Sequence, residues 1–174
     1  MSLWRRIFPG SGLSADASAG DTESVRRIAA RLAKLPPDEA RFLAAFAYVL
    51  ARLANADLRI DDAESHEMER LVTESAGLGA EEAALVVEIA KSQARLLGGT
   101  ENYVVTREFR KLSTPAQRAR LVECLYAVAA ADRAITNVET TEIAAIADEI
   151  GLGRDELAAV RARYRDRIAA LRPR

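Results

Sequence analysis

Apolar residues recur along this chain at intervals of three and four, the spacing that brings side chains onto one face of a helix. The clearest case starts at Phe42 and continues through Phe46, Val49, Leu50 and Leu53. Strict apolar–polar alternation is scarce, as are runs of the β-branched and aromatic residues that strands favour. The pattern predicts an all-α fold in which helices pack on helices.

Glycine and proline divide this pattern into eight predicted helices. The breaks fall at Pro36-Pro37, Gly77-Leu78-Gly79, Gly98-Gly99, Thr114-Pro115 and Gly151-Leu152-Gly153. We predict helices that start near residues 21, 37, 61, 81, 101, 114, 136 and 154, and the last of them is expected to run to about residue 171. Residues 1–20 are rich in serine, glycine and alanine without an extended apolar face, so they are predicted to form a flexible tail. Residues 21–174 are then one helical domain.

The composition indicates in which cellular compartment the protein acts and which classes of partner to expect. A chain of 174 residues is long enough for one domain with its own core. Its single cysteine, Cys124, excludes an intrachain disulfide and favours a reducing cytoplasm. No apolar run reaches the length of about 18 residues that a membrane-spanning helix needs. The net charge of −1 gives no reason to expect a nucleic-acid partner. We therefore predict a cytoplasmic protein whose partner is another protein.

The first residues suggest a weak contact with a membrane surface. Leu3, Trp4, Ile7 and Phe8 have helical spacing and lie beside two arginines. Tryptophan and arginine favour the bilayer interface, so residues 3–8 are a candidate amphipathic anchor. The alternative is a tail that docks back on the helical domain.

The chain also contains an internal repeat. When residues 56–76 are set over residues 131–151, a shift of 75, six of the 21 positions are identical. After a slip of one residue, Gly77-Leu78-Gly79 matches Gly151-Leu152-Gly153, and Glu82 matches Glu156. Two copies are too few for a solenoid, so the repeat predicts a single bundle of pseudo-two-fold symmetry.

Each copy contains an acidic turn between two helices, ANADLRIDDAE at residues 54–64 and AAADRAITNVE at residues 129–139. Asp57 and Asp132 follow the end of a helix, where the helix dipole disfavours an unpaired carboxylate. A bound divalent cation would stabilise them, because hard cations take carboxylate oxygens. The alternative is a structural turn in which each aspartate accepts hydrogen bonds from nearby backbone N–H groups.

The turns together provide a set of candidate metal ligands. These are Asp57, Asp61, Asp62, Glu64, Asp132 and Glu139. Oxygen ligands without a thiolate or a histidine pair favour Ca²⁺ or Mg²⁺ over zinc, and the first turn carries more acids than the second. The competing interpretation is that Glu64 and Glu139 close capping boxes, each reaching back to the N–H of the residue that caps its own helix.

Catalytic signals are weak. Cys124 belongs to an apolar stripe and is expected to be a buried, inert thiol, and His66 is the only histidine. Nucleophile-elbow and phosphate-loop motifs are missing from the sequence. We predict that the protein is not an enzyme; the rival class is a small α-helical hydrolase or transferase that relies on paired carboxylates. The arginines at 161, 163, 165 and 167 alternate along the last helix and are expected to form no single patch.

The turn Ala-Asp-x-x-Ile-x-x-x-Glu, with a following helix that ends in Gly-Leu, resembles the tellurite-resistance protein TerB family. It is also similar to the N-terminal domains of membrane-anchored J-domain co-chaperones. The resemblance covers roughly residues 25–170 and is clearest in LYAVAAADRAITNVETTEIAAIADEIGL at residues 125–152.

The resemblance implies a compact bundle of seven to eight helices, a role in stress response near the membrane, and no enzymatic activity. It also implies a divalent-metal site built from Asp57, Glu64, Asp132 and Glu139. The family usually has glycine after the turn aspartate, where this chain has Leu58 and Arg133. A cationic Arg133 can neutralise the neighbouring carboxylate in place of a metal.

Two functions follow from these observations. The first is a non-enzymatic binding or scaffold module of the TerB type in bacterial tellurite stress, dependent on a divalent cation. The second is a metal-independent protein-interaction domain whose acidic turns are only helix caps. Cation binding distinguishes the two.

Overall fold

The computed structural model describes residues 23–54, 62–94, 102–131 and 134–169. Its helices are α1 (Glu23–Leu32), α2 (Pro37–Ala54), α3 (Asp62–Ala76), α4 (Ala80–Ala94), α5 (Asn102–Leu112), α6 (Pro115–Ala131), α7 (Asn137–Glu149), α8 (Arg154–Arg163) and a 3₁₀ turn (Arg165–Arg167). Within the described ranges, the one extended pairing is an isolated parallel bridge between Ile135 and Ile168. The predicted all-α bundle is confirmed.

Two helices form the centre of the bundle. Residues 43–51 of α2 are all buried, and in α6 so are residues 121–129 except Glu123. A helix that is buried on every side needs neighbours all round it. Accordingly, α2 packs against α4 and α5, and α6 packs against α3 and α8. Stacked rings of Phe42 and Phe109, with centroids 5.4 Å apart, join α2 to α5.

Helices α3 and α7 end in the same way. Gly77 and Gly151 follow them with φ of 68° and 72°, the left-handed conformation that glycine adopts without strain. Two residues later, the N–H of Gly79 donates to Glu82 Oε2 at 2.8 Å, and the corresponding N–H of Gly153 donates to Glu156 at 3.1 Å. These positions correspond in the predicted repeat. The superposition of the two halves stays a prediction, with which these matching helix ends agree.

The last helix is shorter than its sequence pattern predicts. We expected it to run to about residue 171, but α8 ends at Arg163. The chain then turns, and Ile135 N–H donates to Arg167 O at 2.8 Å while Ala169 N–H donates to Ile135 O at 3.0 Å. Ile135 and Ile168 are fully buried at this bridge. The gain from these bonds and from burial of Ile168 favours the turn over a longer, exposed helix.

Several predictions fall on residues outside the described ranges. They are the flexible tail over residues 1–20, the anchor at residues 3–8 and the domain boundary at residue 21. Among the described helices, none is both long and apolar enough to cross a bilayer.

Candidate functional site

Half of the predicted metal ligands lie outside the described ranges, and the side chains of two more are not described. Asp57, Asp61 and Asp132 fall between the described ranges, and Asp62 and Glu64 are placed in the first turn of α3 by their backbone alone. Glu139, in the first turn of α7, is the candidate ligand whose side chain is described. In the described part of the chain, no three histidine, cysteine or acidic side chains are grouped as a metal site would require.

Glu139 closes a complete capping box at the start of α7. Its Oε2 accepts from the Thr136 N–H at 2.8 Å and from the Thr136 hydroxyl at 2.8 Å. The Thr136 hydroxyl accepts in turn from the Glu139 N–H at 3.2 Å. The carboxylate and the hydroxyl therefore each accept from one N–H group that the helix cannot bond internally. At Glu139, the geometry is that of a helix cap.

A partly buried ionic cluster, which the sequence did not reveal, joins three helices. Arg52 of α2 has a side chain only 10% exposed and pairs with Glu142 and Glu149 of α7, the latter at 2.8 Å. The Thr106 hydroxyl of α5 donates to Glu149 Oε2 at 2.7 Å. Each of the three helices therefore contributes at least one member of the cluster.

The charges in this cluster stabilise one another. Burial alone would lower the pKa of Arg52, but hydrogen bonds to Glu149 and Glu142 outweigh it, and the pKa lies above its ordinary value. Burial would raise the pKa of Glu149, but the bonds from Arg52 and Thr106 hold that pKa below its ordinary 4.5. Both groups are thus charged at neutral pH, as a satisfied ionic cluster requires.

The repeat preserves the acids of this cluster but not its cation. Glu67 and Glu74 of α3 correspond to Glu142 and Glu149, yet their partner is Arg70 on the same helix. All three of these side chains are about half exposed. The pair is therefore a surface interaction within one helix, and it joins no other element.

Cys124 lies in the core, as predicted. It is fully buried, and burial, helped by the nearby charge of Glu123, raises its pKa to about 12. A thiol in this setting is protonated at neutral pH and is not a nucleophile. His66 lies on the exposed side of α3.

An open groove lies between α7 and α8, with a volume of about 330 Å³. It is lined by Tyr126, Thr140, Ala144, Arg154, Leu157, Ala158, Arg161, Ala162 and Arg165. The Tyr126 ring is buried and stacks on Tyr164 at 5.5 Å, which fixes the floor of the groove. Leucine and alanine side chains make the walls apolar, and arginines provide its charge.

The arginines of the groove correct one expectation from the sequence. The arginines at 161, 163, 165 and 167 were expected to form no single patch, but two of them, Arg161 and Arg165, line the same groove together with Arg154. Arg154 and Arg161 are seven residues apart on α8, which returns to nearly the same helix face, and Arg165 lies in the 3₁₀ turn that follows. Arg163 points elsewhere and pairs with Glu123 at 2.6 Å. None of the three groove arginines has a hydrogen bond or an ion pair with another described side chain.

Comparison with known proteins confirms the family that the sequence resembles. The family model described as tellurite resistance protein TerB matches residues 42–162, from α2 into α8. This range is narrower than the resemblance over residues 25–170 that the sequence suggested. No curated protein and no solved structure gave a significant match. Since the family model covers more than half of the chain, the chain belongs to the TerB family.

Proposed function

We propose that this chain is a non-enzymatic binding module that acts in the bacterial response to tellurite by holding a protein partner. The tellurite link is supported by the description of the family to which the chain belongs. The observation that carries the binding role is the groove between α7 and α8, which presents three arginines that no described carboxylate neutralises. Exposed arginine beside apolar surface is typical of residues that a protein partner covers.

The lining of the groove supports binding over catalysis. Its polar groups are the three guanidinium groups, the buried Tyr126 and the Thr140 hydroxyl. That hydroxyl donates to the Thr136 carbonyl at 2.9 Å. Arginine stays protonated and so is a poor general base, and the threonine has no base beside it in the lining to activate it. These groups can hold an anion in place, which is what a binding module needs.

We further propose that partner binding needs no cation at the second acidic turn. The Glu139 carboxylate is used by the capping box, and a metal would have to compete with those hydrogen bonds. The first turn, with Asp57, Asp61, Asp62 and Glu64, keeps the prediction of a Ca²⁺ or Mg²⁺ site. None of the candidate ligands lines the groove between α7 and α8, so the proposed binding role does not depend on the outcome of that prediction.

The test uses a strain that lacks the gene, grown with tellurite and complemented with the wild-type protein. We expect growth to be restored, and in-cell cross-linking to recover the same partner at a constant ratio in repeated purifications. An unrelated helical protein of similar size and charge, expressed at the same level, is the control. Restored growth with no partner recovered above that control would refute a binding role.

A further inference from the structure

We propose that the groove between α7 and α8 binds an acidic amphipathic helix of the partner, seated on α8 as α1 is seated on α4. This inference rests on the proposed binding function and names the surface and the chemistry of its ligand. It is carried by a difference between the two copies of the repeat. One copy covers its last helix with another helix, and the other leaves the corresponding surface open.

In the first copy, α1 is the covering helix. Its Ile28 and Leu32 are buried, and α1 packs against α4. Arg27 bonds Glu88 Oε1 with Nη2 at 2.6 Å and Nε at 2.8 Å. Arg31 reaches Glu88 Oε2 at 3.2 Å and the Glu81 carbonyl at 3.0 Å. A basic amphipathic helix is thus fixed on α4 by an apolar stripe and by charge pairs to one glutamate.

The register between α4 and α8 is set by their N-termini. The Gly79–Glu82 and Gly153–Glu156 bonds are the same interaction, 74 residues apart. In this register Val87 corresponds to Arg161. Val87 is buried in α4, whereas Arg161 is exposed in α8.

The α4 residue that binds α1 has no acidic counterpart in α8. Glu88, which accepts hydrogen bonds from Arg27 and Arg31 of α1, corresponds to Ala162, which is exposed and lines the groove. The surface of α8 that corresponds to the seat of α1 is therefore uncovered by the described chain, and its central acid is gone.

The helix that would cover α8 by symmetry is engaged elsewhere. Helix α5 precedes α6 in the way that α1 precedes α2. It packs instead on α2 and α7, through the Phe109–Phe42 stack and the Thr106–Glu149 hydrogen bond. Among the described helices, α8 packs chiefly on α6. The surface of α8 is therefore uncovered because α5 packs on α2 and α7.

Charge and spacing define the occupant. The seat on α4 is acidic and its helix is basic, whereas the seat on α8 carries Arg154, Arg161 and Arg165, so its helix is expected to be acidic. Arg154 and Arg161 lie two turns apart on α8, about 10 Å at the rise of an α-helix, and Arg165 follows in the 3₁₀ turn. Carboxylates two turns apart on a bound helix match the first two arginines, and a third carboxylate one turn further along is placed towards Arg165. A single phosphate spans only a few ångströms and would leave at least one arginine unpaired.

The experiment uses two fluorescein-labelled, hydrocarbon-stapled helices of about 15 residues. Both have a leucine and alanine face, and they differ in carrying three glutamates or three glutamines at spacings of seven and four. The variant Arg154→Glu/Arg161→Glu reverses the groove charge. The variant Lys34→Glu/Arg107→Glu makes the same net change at exposed positions outside the groove and is the matched control. All four positions are exposed, so each variant is expected to fold.

Fluorescence anisotropy should show saturable binding of the glutamate helix to wild type and to the control variant. The glutamine helix and the groove variant should each lose about tenfold or more in affinity. Equal binding of the two peptides, an equal loss in the control variant, or no saturation by about 1 mM would overturn the proposal. Displacement of the glutamate helix by pyrophosphate would also overturn the proposal if it occurred at a lower concentration than the glutamate helix needs for binding. The groove would then be a small-anion site.

In-cell cross-linking separates this inference from the function on which it rests. If the glutamate helix does not bind the wild-type protein and the groove variant still recovers the partner, the partner binds elsewhere. In that case only the inference is refuted. If the wild-type protein recovers no partner, the proposed function itself falls. Loss of the partner from the groove variant, but not from the control variant, supports both.

Discussion

Replacement of Arg52 by methionine should destabilise the protein by removing the cation at the centre of the α2–α5–α7 cluster. Methionine keeps most of the apolar stem of arginine, so the loss reports the charge and its hydrogen bonds more than packing. Glu142 and Glu149 would then remain close together on α7 without their shared partner.

The size of the effect follows from how much water reaches the glutamates. Removal of one partner from a fully buried ion pair costs about 3–5 kcal/mol. Here the Glu142 and Glu149 side chains are 31% and 23% exposed, so water replaces part of the lost interaction. We expect the free energy of unfolding to fall by about 2–3 kcal/mol, and the melting temperature by about 5–10 °C.

The effect should depend on pH in a definite direction. The pKa of Glu149 is lowered in the folded state, so its contribution is complete above 4.5 and is lost as the pH falls through the folded value. The difference between wild type and Arg52→Met should therefore be largest near neutral pH and shrink in acid. Urea unfolding followed by circular dichroism at about pH 7 and about pH 4 measures it.

Arg70→Met is the matched control, because Arg70 also holds two glutamates but lies exposed on one helix. It should change stability much less than Arg52→Met. Equal losses for the two variants, or a loss for Arg52→Met that is the same at both pH values, would show that the cluster does not stabilise the fold in the way described.

Three further predictions concern single positions. Cys124→Ser should lower stability by about 1–3 kcal/mol because it buries an unpaired hydroxyl, and the native thiol should react slowly with a disulfide reagent; fast labelling would contradict its burial. Gly151→Ala should cost about 1–2 kcal/mol in urea unfolding, and Gly151→Asn less, because asparagine tolerates the left-handed conformation; equal losses would point to the contact with Arg110 as the cause. Calorimetric titration should show weak Ca²⁺ or Mg²⁺ binding that Asp57→Ala removes and Glu139→Gln leaves intact, since glutamine keeps the capping box; loss of binding in Glu139→Gln would make that residue a ligand.

The fold could be predicted because its signals are local. Apolar spacing set the faces of the helices, and caps and breaks set their ends. The start of α7 at Asn137 follows from Thr136 and Glu139, and its end from Gly151, all within a few residues of the feature that they produce. The end of α8 could not be predicted, since it depends on a bridge between Ile135 and Ile168 that is distant in sequence.

The ionic cluster was hidden for the same reason. Glu142 and Glu149 are seven residues apart, so the sequence shows that they share a face of α7. Nothing in the sequence shows that Arg52, 90 residues away from Glu142, faces them across the core. In the other copy the matching acids take a partner on their own helix. The pattern of acids alone thus fits either outcome, and only the packing of α2 against α7 decides between them.

The shared helix face of Arg154 and Arg161 was missed because only arginines two residues apart were compared. Their spacing of seven residues is visible in the sequence. Residues two apart on a helix face nearly opposite directions, so the series at 161, 163, 165 and 167 suggested a scattered charge. Arg154 lies seven residues before Arg161, and this longer spacing returns to the same face. The two copies of the repeat keep their helix ends and differ on their outer surfaces. One copy has a covered glutamate, Glu88, where the other has an exposed alanine, Ala162, between two arginines, and the partner helix proposed above would account for this difference.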